Sequence, residues 1–151
     1  MVEKTDLGFP APKALATEIL DQALELAARL ENLFEKRGEP LDSQTLQEAL
    51  IHLAQSLLIG LTQTLTHHFP HEELEDFTNQ VFLELGRLTL MEFIQREPTE
   101  EEWEYFLTYF RSHFELLRDE IEEETSYTQE AADLLEETKK HLERLLNRFF
   151  S

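Results

Sequence analysis

Apolar residues recur at intervals of three and four along most of the chain, the spacing that lays one stripe on an α-helix. Leu15, Ile19, Ala23, Leu26, Leu30, Leu33 and Phe34 form the first stripe and predict a helix over 12–37. Pro12 suits its first turn, where a missing N–H does no harm, and Gly38 ends it. The stretch 49–61 has a different character. It is apolar almost all round the helical wheel, with His52, Gln55 and Ser56 as its polar interruptions. A helix of that kind is buried by its neighbours, so 43–67 is predicted as a central helix. Asp42 or Ser43 caps it, and Thr45 with Glu48 is a second, later capping pair. Gly60, in its most apolar part, predicts a close helix crossing, since glycine weakens a helix by about 1 kcal/mol relative to alanine.

Pro70 makes the next break. After it Leu74, Phe77, Val81, Leu85, Leu88 and Met91 predict a helix over 71–95, widened by Phe82, Phe93 and Ile94. Thr99 and Glu102 read as a capping box for a fourth helix. Its ridge is Trp103, Phe106, Leu107, Phe110, Phe114, Leu117 and Ile121. Aromatic side chains at this spacing predict core, with a ligand pocket as the alternative. A boundary is placed at 123–127, the alternative being one bent rod. Helix 5 then runs to 149 with Ala131, Leu135, Thr138, Leu142, Leu145 and Phe149 alternating four and three, as in a coiled-coil seam. The fold class predicted is all-α: about five helices in a mostly antiparallel bundle around 43–67. Residues 12–151 form one domain. Residues 1–11, broken by Gly8 and Pro10, form a flexible arm, with Phe9 placed to tuck against the bundle.

Composition narrows the role more than the fold. Thirty-two acids face 13 Lys plus Arg, a net charge of −19. Such a surface repels nucleic acid and anionic lipid and favours basic partners or divalent cations. Cysteine is absent, which removes disulfides, thiolate catalysis and Cys-based zinc sites. The start lacks a basic segment followed by an apolar run, so no signal peptide is expected. The 49–61 run is too short for a membrane span. A cytoplasmic protein is the expectation.

Three groups of residues suggest chemistry. His67, His68 and His71 meet Glu72 and Glu75 at the helix 2–3 corner, where imidazole and carboxylate ligands suit a divalent metal. The alternative is histidine favoured by a helix C-terminus. No Glu-x-x-His pair exists, so a ferritin-like di-metal site is excluded. Glu48 with His52 and Glu137 with His141 are spaced for ordinary same-face contacts, and His52 is expected as a hydrogen-bonded core histidine. The serines have no glycine-rich elbow and the glycines are too scattered for a phosphate loop; no other cofactor is expected. The acids of helix 4, Glu115, Asp119, Glu120, Glu122, Glu123 and Glu124, form a solvated face or a row that imitates DNA phosphates.

Glu73 and Asp76, followed by Gln80, Val81 and Phe82, resemble the second half of the metal motif of the all-α nucleoside-triphosphate pyrophosphohydrolases. That family pairs a Glu-Glu-x-x-Glu helix with a later Glu-x-x-Asp, and the resemblance implies magnesium held by carboxylates. The first half would fall on 47–51, where only Glu48 is acidic and two of three carboxylates are missing. The function expected is therefore a non-enzymatic protein-interaction or scaffolding domain, extending to a homodimer. Phe149 and Phe150 and the acids of helix 4 are its contact residues. An acidic DNA-mimic inhibitor and a metal-dependent nucleotide hydrolase, using Glu48, Glu73 and Asp76, are the alternatives.

Overall fold

Five helices account for most of residues 9–122 and 129–150, which the computed structural model describes, with side chains described over 9–119 and 136–150. They are α1 (Pro12–Lys36), α2 (Ser43–Leu65), α3 (His71–Ile94), α4 (Glu100–Glu122) and α5 (Gln129–Phe150), and no β-strand occurs among the described residues. The all-α bundle predicted from periodicity is the fold observed. The boundary expected at 123–127 lies outside the described residues.

Local chemistry explains where the helices begin. Pro12 occupies the first turn of α1. Asp42, not Thr45, caps α2: its carboxylate accepts from the Thr45 N–H at 2.7 Å, which also lowers the Asp42 pKa. The capping box of α4 forms as read. Thr99 Oγ1 accepts from the Glu102 N–H at 3.2 Å, and Glu102 Oε1 accepts from the Thr99 N–H at 2.9 Å. Arg96 adds two donors to the same carboxylate, at 2.8 and 2.7 Å.

α2 touches all four other helices, which is why it is apolar nearly all round. Leu53, Leu57, Leu58 and Leu61 are essentially free of solvent, each worth about 1.5–3 kcal/mol relative to exposure. α4 rests on α2 and α3, whereas α5 rests on α1 and α2. Two glycines permit close approaches. A Cβ at Gly60 would lie 3.1 Å from a Leu142 methyl of α5; one at Gly86 would meet Phe110 and Trp103 of α4 at 3.2–3.3 Å.

Aromatic rings gather at one pole of the bundle. Phe9 stacks on Phe77 at 4.4 Å between centroids and lies 4.5 Å from Phe69 and 6.5 Å from Phe150. α1 and α3 therefore start from this pole, and α2 and α5 finish at it. Ion pairs from Arg29 to Glu137, Arg144 to Glu25 and Arg148 to Glu18 confirm that α5 runs antiparallel to α1. Along α3, Phe93 meets Phe106 and Phe82 meets Phe114, so α4 runs antiparallel to α3.

Three expectations need correction. His52 is exposed, because it continues the polar line of Thr45 and Glu48 along α2. His141, read as an ordinary contact residue, is fully buried instead. α5 lies in the cleft between α1 and α2 and so buries His141 together with Leu145 and Phe149 of the expected seam. Phe149 is core and Phe150 packs half-buried against it, so neither ring is offered to a partner. Phe9 tucks against the bundle as expected, and Pro10 is buried with it.

Candidate interaction site

Among the described residues α4 has neighbours on one side only. Its ridge faces α2 and α3, where Phe110 and Leu117 are buried and Trp103, Phe106, Leu107 and Phe114 are half-buried. Phe110 lies 5.1 Å from Phe82 and 5.6 Å from Phe106, so the middle of the ridge is packed core. On the opposite side Tyr105, Tyr109 and Leu116 are 83%, 44% and 65% exposed. At 3.6 residues per turn these three fall within roughly 40° of each other, making one row that is apolar except at exposed Ser112. Exposed Glu101, Glu104, Glu115 and Asp119 border it. The row was legible as large apolar residues at four- and seven-residue spacing off the ridge, but attention to the ridge alone passes over it.

The inner contact of α4 with α2 contains polar groups. Gln55, fully buried, donates from Nε2 to the Phe110 carbonyl at 2.8 Å. Its Oε1 has no hydrogen-bond partner among the described residues, and neither does the buried Nε2 of His113. One turn outward the rings of His52 and His113 stand 6.1 Å apart at 80°.

An open groove of about 880 Å³ runs between the end of α2, the start of α3 and α4. Arg111 and Arg118 line it, 5.8 Å and 5.9 Å from the centres of the Phe82 and Phe114 rings. Glu72, Glu75, Asp76 and Glu115 line it too, so it has no single charge preference.

The other predicted residues stay apart. His67, His68 and His71 are exposed, and His71 Nε2 lies 3.5 Å from Glu75 Oε2. Among the described residues no three His, Asp or Glu side chains form a group able to hold a metal, so neither that corner nor Glu48, Glu73 and Asp76 makes such a group. Glu48 instead lies 3.5 Å from Gln44, and Asp76 3.2 Å from Gln80. Glu115 and Asp119 are exposed, while the side chains of Glu120, Glu122, Glu123 and Glu124 lie outside those described. No helix among the described residues is long and apolar enough to cross a membrane. Comparison of the chain with known protein families, curated proteins and solved structures gives no match.

Proposed function

We propose that this chain is a non-enzymatic interaction domain that presents the outer face of α4 to a protein with a basic surface. One observation carries the reading: Tyr105, Tyr109 and Leu116 form an exposed apolar row on a helix covered from one side only. Contiguous apolar surface with a polar rim is the usual mark of a contact site. Tyrosine is well suited to it, having a large apolar body, a polar tip and few rotors to order. The rim of Glu101, Glu104, Glu115 and Asp119 selects positive charge. The same rim on a second copy is repelled, which favours a distinct basic partner over a homodimer.

The test replaces Tyr105, Tyr109 and Leu116 together by serine. Exposed positions tolerate this, so circular dichroism and Tm should stay close to those of the parent. Immobilised parent protein should retain basic proteins from an extract of its source, with retention falling as salt rises, and the triple variant should lose them. An unchanged retained set would overturn the proposal. Displacement of the partner by duplex DNA would point instead to the acidic row as a phosphate imitation.

A further inference from the structure

The structure assigns a second role to α4 at its inner contact with α2: we propose that His52 and His113 form a two-imidazole site for a divalent transition metal that pins the two helices together. The rings are 6.1 Å apart and nearly perpendicular. Zinc–nitrogen bonds of about 2.0–2.1 Å put the centres of two ligating imidazoles roughly 5–6 Å apart, so a small side-chain rotation brings both rings to one ion. His113 Nε2 is buried and has no hydrogen-bond partner among the described residues, and a buried polar atom without a partner is costly. Metal ligation or an ordered water would remove that cost. One turn inward Gln55 repeats the feature, its Oε1 buried and unpartnered while its Nε2 holds the Phe110 carbonyl.

Access and charge fit the same ligand. His52 is exposed, so an ion reaches the pair from solvent while His113 stands half-buried behind it. A net charge of −19 concentrates cations around the molecule. Imidazole suits zinc, nickel and copper and not magnesium or calcium. With two protein ligands, water fills the remaining positions. The ion would tie α4, which has only α2 and α3 as neighbours, more firmly to the centre of the bundle.

Zinc chloride alone is the probe, followed by calorimetric titration and thermal unfolding of the whole chain at pH 7.5. One equivalent should bind saturably and raise Tm by about 5 °C at a hundredfold excess over Kd. Calcium should do neither. His52→Ala, at an exposed position, should keep the fold and weaken zinc binding at least tenfold; His113→Gln should do the same. Zinc affinity that survives His52→Ala but is lost when His67, His68 and His71 are replaced would move the site to that corner and overturn the proposal. Absence of saturable binding would also overturn it.

Discussion

His141 is a costly side chain to hold in the bundle core. It is fully buried, and neither ring nitrogen has a hydrogen-bond partner among the described residues. Burial and then Arg144 lower its pKa, with Arg29 acting the same way and Glu25 and Glu137 against. No charged group of α2 is among these influences. The unfolded imidazole, with an ordinary value of 6.5, binds protons more readily than the folded one. Its contribution to stability is therefore complete above about pH 6.5 and is lost as pH falls from there towards the lowered folded value. His141→Leu should raise stability at pH 7 by about 1–2 kcal/mol, because it removes unsatisfied polar atoms at similar volume. Urea unfolding at pH 7 and pH 5 should also show a smaller difference for the variant than for the parent. Glu102 works in another window. Arg96 and then the Thr99 N–H hold its carboxyl at about 2, against an ordinary 4.5, so its share is present above 4.5 and lost between there and 2. Thr99→Ala should cost about 1 kcal/mol, the usual worth of an N-cap, read by the same unfolding curves.

At the level of the helix, the two crossing glycines should respond oppositely to alanine. The new methyl at Gly60 meets only the end of Leu142, a half-buried side chain that can move by a few tenths of an ångström. Gly60→Ala should be neutral or stabilising by up to about 1 kcal/mol, as helix propensity prevails. At Gly86 the methyl meets two rings at once, one of them the fully buried Phe110. Gly86→Ala should destabilise by about 1–3 kcal/mol, since overpacking shifts both; paired Tm measurements check the contrast. Helix positions were legible because periodicity records which face is apolar. What it does not record is how many neighbours cover that face. α5 read as a narrow seam, yet a helix laid between two others buries a wider arc, and His141 falls inside it. The converse holds for α4, whose second apolar row is exposed and has no neighbouring helix among the described residues. Arg144 and Arg148, near the C-terminal end of α5 where cations suit the helix dipole, also face Glu25 and Glu18 of α1.

For the molecule as a whole, charge and closure matter most. A net −19 on 151 residues opposes compaction by self-repulsion. Raising sodium chloride from low to physiological strength should increase Tm by a few degrees, as the Debye length shrinks to about 8 Å; a falling Tm in scanning calorimetry would show that local ion pairs outweigh the repulsion. The central position of α2 was readable from its composition; the exposed row proposed as a contact face stands out less, because it is made of ordinary Tyr and Leu and carries no histidine or acid run. The aromatic pole has a consequence for synthesis. Phe9 emerges from the ribosome early and Phe150 late, yet both belong to one ring cluster with Phe69 and Phe77. Until α5 arrives, the four helices made before it display an open aromatic end, so the interval before α5 emerges is when these residues most need chaperone cover.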